Sequence, residues 1–246
     1  MSVYWIFFLL TWIVAGAGFA WRATRHGVPR SAVADGLLLM LPALVVGGHL
    51  LSAVLGLGEI RDWRTFFFTV EGWKAGHVSF GALGGGLFAL WLAARLHRLP
   101  GLLLIDLAMP VLFIASALMR VGCFLTGCCF GAPTRMPWGV RFALDHPFQP
   151  WTPPSHPTQL YESGASLVIF AALPWLFRRL RAEPGEGKIA LVCVLLFLAE
   201  RFAIEFFRVG GTTVAVWHGL SEPHFVTFTG AVLCALSLRL RCILPK

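Results

Sequence analysis

Arg120-Val-Gly-Cys123-Phe-Leu-Thr-Gly127-Cys128-Cys129-Phe-Gly131 and, beyond a proline-rich stretch, His156-Pro-Thr-Gln159-Leu-Tyr161-Glu162 hold the groups that could do chemistry. A guanidinium, three thiols, an imidazole, an amide, a phenol and a carboxylate are gathered there, in a chain otherwise poor in polar side chains. An imidazole can take a proton near neutral pH, a guanidinium grips phosphate through two hydrogen bonds, and a thiolate is a nucleophile. Such groups placed at the edge of hydrocarbon point to chemistry on lipids.

The rest of the chain is the hydrocarbon-facing part. Of its 246 residues 57% are hydrophobic and 13% charged, and the apolar ones come in long runs, which makes this a polytopic membrane protein. A helix needs roughly 20 apolar residues to cross the bilayer. Seven segments approach that length, at about 3–21, 36–57, 78–94, 102–119, 161–177, 189–207 and 224–238. The third and last are short. No segment alternates with period two, so the expectation is an all-α bundle of about seven transmembrane helices in a single membrane-embedded domain over 1–246. The first segment has no basic region before its apolar run and reads as a retained helix, not a signal peptide.

The cations orient the bundle. With the amino terminus outside, twelve basic residues fall on the cytoplasmic side (Arg22, Arg25, Arg30, Arg95, Arg98, Arg178, Arg179, Arg181, Lys188, Arg239, Arg241 and Lys246) and five outside (Arg61, Arg64, Lys74, Arg135 and Arg141). Positive-inside bias therefore predicts an external amino terminus and a cytoplasmic carboxyl terminus. It also accounts for the net charge of +8 without nucleic acid as a partner.

Three further arginines, Arg120, Arg201 and Arg208, fall at or within apolar segments, where a charge costs a few kcal/mol unless it is paired or wet. Arg201, Glu205 and Arg208 are spaced i, i+4 and i+7, on one face of the sixth helix, with Glu205 able to pair with either arginine. Such a set is either a structural ion pair or an anion site. The three arginines outnumber Glu205, and a phospholipid headgroup suits that surplus.

Between Gly127 and Pro157 the density of glycine and proline excludes a long helix and predicts a structured loop. Trp138 reads as an interface anchor there, and His156 stands at the water-facing lip just before the fifth span. The cysteines leave three readings open. Cys123 can pair with Cys128 or Cys129 in a disulfide, the thiols can bind a metal together with His156, or a thiolate near Arg120 can be reactive. Cys193, Cys234 and Cys242 read as small apolar filler. Asp106 and Pro110 mark a kink or polar contact in the fourth span. Gly81, Gly84, Gly85 and Gly86 read as a close helix-packing surface.

Arg120-x-Gly-x-Phe-x-x-Gly127, Gly131-x-Pro-Thr134, Pro137-Trp-Gly-Val140, His156-Pro-x-Gln-Leu-Tyr-Glu162 and Arg201-Phe-x-Ile-Glu-Phe-Phe-Arg208 together resemble the prolipoprotein diacylglyceryl transferase family. The resemblance runs over most of the chain from the third span onward. It implies a seven-helix protein of the bacterial inner membrane that moves a diacylglyceryl group from phosphatidylglycerol to the lipobox cysteine thiol of a preprolipoprotein. Glycerol phosphate leaves, and neither metal nor organic cofactor is implied. The partners are then phosphatidylglycerol, the lipobox segment and surrounding membrane lipid.

A reaction of this kind needs a base for the thiol and cations for the departing phosphate. The expected catalytic set is His156, Arg120, Arg201, Glu205, Tyr161 and Glu162, with His156 as base and Glu162 or Tyr161 orienting it. The expected substrate-binding set is Arg120, Gly122, Arg208, Gln159, Gly131, Cys123 and Cys128. Several positions depart from the family pattern. Gly81 stands where the family has a histidine, with His77 four residues earlier, and Cys123 and Cys128 stand where it has Asn and Glu. Phe197 takes the place of a tyrosine before the sixth-helix arginine, only Tyr4 lies near the first-helix tyrosine, and His49 stands where arginine is frequent. Other readings of the same residues are a divergent member with another acceptor, a non-catalytic lipid-binding membrane protein, and a thiol-redox membrane protein using Cys123, Cys128 and Cys129.

Overall fold

The computed structural model describes residues 3–55, 79–143, 151–208 and 222–243. Eight helices are present among them: α1 (Val3–Arg25), α2 (Arg30–Leu55), α3 (Ser79–Leu96), α4 (Leu103–Ala108), α5 (Val111–Thr126), α6 (Thr158–Leu180), α7 (Lys188–Glu205) and α8 (Glu222–Ile243). The described residues contain no extended strand, only three isolated bridges within the loop after α5. Three stretches are long and apolar enough to cross a membrane: Trp5–Arg25, Arg30–Leu51 and Thr158–Leu180. Gly81–Leu96, Val111–Leu125 and His224–Arg239 are shorter apolar helices.

Each apolar segment foreseen in the sequence is helical, but the fourth is broken. Instead of one span over 102–119, α4 ends at Ala108 and α5 begins at Val111. Pro110 is the cause: it caps α5 with φ −60°, and proline has no N–H to donate back into the preceding turn. Pro42 and Pro174 are instead accommodated inside α2 and α6.

The described chain forms two compact units. One comprises residues 20–107, the end of α1 with α2, α3 and α4. Its main contact is α2 against α3, and glycine makes that contact possible. A Cβ on Gly85 would run into the Ala43 carbonyl, and one on Gly81 into the Gly47 carbonyl and, at 2.5 Å, Leu51 Cβ. The backbones therefore approach as closely as hydrogen-sized side chains allow, the packing mode of small residues between membrane helices. His49 is buried on α2. Near the other end of the pair, His97 Nε2 lies 2.7 Å from Asp35 Oδ2. Arg22 donates from Nε to the Leu107 carbonyl at 3.0 Å, where α4 ends. His77, Arg61, Arg64 and Lys74 lie outside the described residues.

The other unit comprises residues 1–19 and 108–246. Here α5 packs on α6, α6 on α7 and α7 on α8. α1 passes α5 where Gly122 faces Phe7 and Gly18 faces Val111, so the two helices run in opposite directions. α6 shows why this is a helix made for lipid. Gln159, Glu162, Ser163 and Ser166, spaced i, i+3, i+4 and i+7, are buried, whereas Leu160, Leu167 and Val168 are exposed. The polar stripe faces protein and the apolar surface faces outward, the reverse of a water-soluble helix. Ile13 at 68% and Leu38 at 72% exposure repeat the pattern on α1 and α2, and apolar surface of that kind identifies a membrane protein.

The α2–α3 contact yields a paired test. Gly84 has open space where a Cβ would go. Gly84→Ala is expected to hold or raise thermal stability in detergent, since alanine favours helix by about 1 kcal/mol. Gly85→Ala is expected to lower it, because the Ala43 carbonyl occupies the methyl position.

Candidate functional site: a buried arginine and glutamate relay beside an aromatic mouth

The buried stripe of α6 makes Glu162 the meeting point of three helices. Its Oε1 lies 2.8 Å from Arg120 Nη2 of α5, and its Oε2 lies 3.2 Å from Arg201 Nη1 of α7. Arg201 Nη2 continues to Glu205 Oε2 at 3.2 Å, and Arg208 Nε lies 3.9 Å from the same oxygen. The result is an alternating row, Arg120, Glu162, Arg201, Glu205, Arg208, with three cations and two anions. The pairing of Glu205 with both arginines follows the spacing read in the sequence. Arg208, however, is not on the helix: α7 ends at Glu205, and the chain turns through residues 206–208 before Arg208 points back.

The acids are sealed and the cations are not. The Glu162 and Glu205 side chains are 3% and 1% exposed, whereas those of Arg120, Arg201 and Arg208 are 22%, 14% and 15% exposed. An anion arriving at this row therefore meets guanidinium first. Neighbouring hydrogen bonds fix the helices that carry it. Ser163 Oγ donates to the Ala117 carbonyl of α5 at 3.1 Å, and Ser166 Oγ donates to Glu200 Oε1 of α7 at 2.8 Å. Glu200 is itself buried and faces α6, outside the ion-paired row.

Residues 127–143 and 151–157 strap the start of α6. Gly127 ends α5 with φ 74°, a left-handed conformation suited to glycine, and Cys129 follows with φ 64°. The loop strands exchange backbone bonds, Val140 N–H to Ser155 O at 3.0 Å and Ser155 N–H to Val140 O at 2.9 Å. Gly131 N–H donates to His156 O at 2.9 Å, and His156 N–H to Ala132 O at 3.0 Å. Ala132 N–H reaches Phe207 O at 2.7 Å, tying the loop to the turn that carries Arg208. Glycine at 131 is required by that crossing, since a Cβ would strike the Phe207 carbonyl and lie 2.9 Å from His156 Cβ.

His156 is held at an open aromatic cavity of about 340 Å³ lined by Met136, Trp138, His156, Tyr161 and Phe207. Its Nδ1 lies 3.1 Å from the Tyr161 hydroxyl, which also accepts from Trp138 Nε1–H at 2.7 Å. The His156, Tyr161 and Phe207 rings meet edge to face, with centroids 5.4 to 6.0 Å apart. Tyr161 thus stands beside the imidazole, as one of the two orienting arrangements foreseen. Glu162 does not orient it, because both its oxygens are engaged by Arg120 and Arg201. The cavity and the relay nonetheless share two chain positions, Tyr161 with Glu162 and Phe207 with Arg208.

The other expected binding residues take backbone-supporting places. Gln159 Nε2 donates to the Cys128 carbonyl at 2.5 Å and Thr158 Oγ1 to the Cys129 carbonyl at 3.0 Å, so the start of α6 grips the loop. Gly122 leaves room for Phe7. Cys123, Cys128 and Cys129 carry free thiols, and their sulfurs lie within 4.8 Å of one another. His156 is not part of that group. The Cys128 thiol, in the loop, is drawn to well below the ordinary thiol range by hydrogen bonds from Cys123 and Cys129, with Thr126 and Arg120 adding to the effect against burial. Trp138, Phe207 and Ser166 were not singled out as site residues by the sequence. Trp138 and Phe207 carried a usable signal, their places inside the Pro137-Trp-Gly and Arg201 to Arg208 motifs.

The class defined by this geometry is a helical membrane protein with a buried, arginine-rich ionic row opening beside an aromatic cavity. The sequence model described as prolipoprotein diacylglyceryl transferase matches residues 1–239. Three relatives carry the name phosphatidylglycerol–prolipoprotein diacylglyceryl transferase. The one from Clostridium tetani is 29% identical over 187 residues, covering 76% of this chain and 72% of the relative. The one from Cutibacterium acnes is 30% identical over 210 residues, covering 82% and 69%. The one from Nitratidesulfovibrio vulgaris is 36% identical over 137 residues, covering 55% and 49%. The chain belongs to the prolipoprotein diacylglyceryl transferase family.

Two outcomes follow from the site. Glu162→Ala leaves Arg120 without its carboxylate partner and Arg201 with Glu205 alone, and is expected to destabilise the fold by about 3–5 kcal/mol, read as lowered thermal stability in detergent. Cys128 is expected to be the first thiol alkylated by iodoacetamide, at a rate nearly flat across neutral pH. An ordinary thiol, with a pKa of about 8.5, would instead react about tenfold faster per added pH unit in that range.

Proposed function

We propose that this chain is a transferase that moves the diacylglyceryl group of phosphatidylglycerol onto the lipobox cysteine thiol of a preprolipoprotein. On this reading the chain is one multi-pass domain of the bacterial inner membrane, with about seven spans, an external amino terminus and a cytoplasmic carboxyl terminus. Residues 127–157 then face outward, where the substrate thiol arrives. Family membership and the names of the relatives support the activity. The observation in this chain that carries it is the relay, three arginines against two sealed glutamates at the edge of an apolar helix bundle.

The reaction breaks a C–O bond and forms a C–S bond. The substrate thiol loses its proton, the thiolate attacks the glyceryl carbon that bears the phosphate ester, and the electron pair of the broken bond stays on the phosphate oxygen. A phosphodiester with one negative charge thereby becomes a monoester with two. Arg120, Arg201 and Arg208 supply the cations for that added charge, and their partial exposure lets them reach it while Glu162 and Glu205 keep them in place. A positioned cation is most useful where water is excluded, which the surrounding helices provide.

His156 takes the thiol proton. To do so at Nε2, its Nδ1–H must donate to the Tyr161 oxygen, which then accepts both from His156 and from Trp138. A phenol oxygen can accept both bonds, and in this tautomer Nε2 is left to take the proton. Gly81 is then a packing residue. The family histidine cannot stand on α3 at that point without separating α2 from α3, and the proton-accepting role in this chain rests on His156.

Purified protein incubated with radiolabelled phosphatidylglycerol and a lipobox peptide is expected to yield a thioether-linked diacylglyceryl peptide. Arg120→Ala and Arg201→Ala are expected to cut its formation by at least about a hundredfold, the scale of losing one charge-stabilising donor. Binding of the lipid without product, in folded wild-type protein, would refute the transferase reading.

A further inference from the structure

Beyond the relay and the cavity, the most unusual group in the chain is the thiol cluster at the end of α5. Cys123 stands in the last turn of the helix, Gly127 turns the chain through φ 74°, and Cys129 turns it again through φ 64°. Cys128 N–H donates to the Cys123 carbonyl at 3.2 Å, which folds the loop back over the helix end. The carbonyls of Cys128 and Cys129 are gripped in turn by Gln159 and Thr158. Two left-handed residues and three hydrogen bonds thus bring three thiols together. The sulfurs lie within 4.8 Å of one another, with Cys129 Sγ 3.4 Å from Cys128 Sγ.

We propose that Cys123, Cys128 and Cys129 form a three-thiolate binding site for a soft d¹⁰ metal ion of the copper(I) class. The geometry selects the ion. Metal–sulfur bonds of about 2.3 Å in a trigonal plane put the sulfurs about 4 Å apart, close to the spacing of the cluster, whose sulfurs lie within 4.8 Å of one another. Thiolates exclude magnesium, calcium and manganese, which take oxygen. Structural zinc and iron–sulfur centres call for four protein ligands, and the cluster among the described residues offers three, with no histidine or carboxylate joining them. Copper(I) is satisfied by few soft ligands. Cys123 is buried while Cys128 and Cys129 are half-buried, so the site is open on the loop side for entry and closed on the helix side. The Arg120 guanidinium, one helical turn before Cys123, interacts electrostatically with Cys123 and Cys129 and offsets the negative charge that three thiolates leave on a bound monovalent ion. The site uses none of the residues that line the aromatic cavity, and its existence does not depend on the transferase reading.

The test is copper(I) binding by the full-length, fully reduced protein in detergent under anaerobic conditions, measured by competition with a chromophoric copper(I) chelator. X-ray absorption on the loaded protein reads the ligands directly. One ion per chain is expected, with three sulfurs at about 2.3 Å. Cys123→Ser, Cys128→Ser and Cys129→Ser are each expected to weaken binding by more than about a hundredfold, exceeding what loss of an outer-shell partner costs a metal site. Cys193→Ser and Cys234→Ser are expected to leave it unchanged. Undiminished binding in the triple serine variant, a spectrum with fewer than three sulfurs, or no binding by reduced wild-type protein would each overturn the proposal. The spectrum of the wild type decides the matter even if a serine variant fails to fold.

Discussion

Glu162 is the constraint on which the site depends. A single carboxylate with 3% of its side chain exposed is held between arginines from two other helices, and no one of the three charges is tolerable in that place alone. The consequence is geometric. α5, α6 and α7 must meet at the height of Glu162, because only there does each buried charge find its counter-charge. Once they do, Arg201 and Glu205 extend the row by one turn, and Arg208 closes it from the turn beyond α7. Ser163 and Ser166 add hydrogen bonds to both flanking helices from the same stripe. Stability and function are therefore built from the same side chains, since the acids that make the helices assemble also hold the arginines ready for an anion.

The loop depends on the same helix. Thr158 and Gln159 at the start of α6 grip the carbonyls of Cys129 and Cys128, and Gly131 permits the crossing that fastens the loop to His156 and Phe207. His156 is thus positioned by backbone bonds on both sides before its ring makes any contact. Trp138 and Tyr161 then hold the ring through one shared hydroxyl. The aromatic cavity and the row of cations end up on adjacent residues of α6 and of the turn after α7, Tyr161 with Glu162 and Phe207 with Arg208. On the proposed reading, that adjacency brings the thiol and the phosphate ester together.

Much of this was legible in the sequence, and for definite reasons. Helices announce themselves when apolar runs approach the length of a span, and among the described residues all seven runs carry helix, the fourth in two pieces. The link between Arg201 and Glu205 followed from helical spacing, because local periodicity is preserved on folding, whereas Arg208 reaches Glu205 from the turn after α7. What spacing cannot convey is contact between distant segments. Glu162 was read beside His156 because the two are near in sequence, yet successive residues of a helix point about 100° apart, and Glu162 turns toward α5 and α7 while Tyr161 faces the cavity. The break at Pro110 was foreseen as a kink, whereas the chain stops one helix and starts another. Gly81 stands where the family has a histidine, and the carbonyl of Gly47 lies where its side chain would be. A glycine's reason is the backbone opposite it, which no single sequence displays.

The central claim is that the excess positive charge of the relay holds the phosphate of the lipid. It is tested most directly by the retention of phosphatidylglycerol, relative to uncharged diacylglycerol, on detergent-purified protein, measured by native mass spectrometry for Arg208→Gln and Glu205→Gln. The account predicts changes of opposite sign: loss of the arginine's charge lowers retention of phosphatidylglycerol, and loss of the glutamate's charge raises it. Equal losses in the two variants, or no change in either, would show that the row holds helices together and does not bind the headgroup.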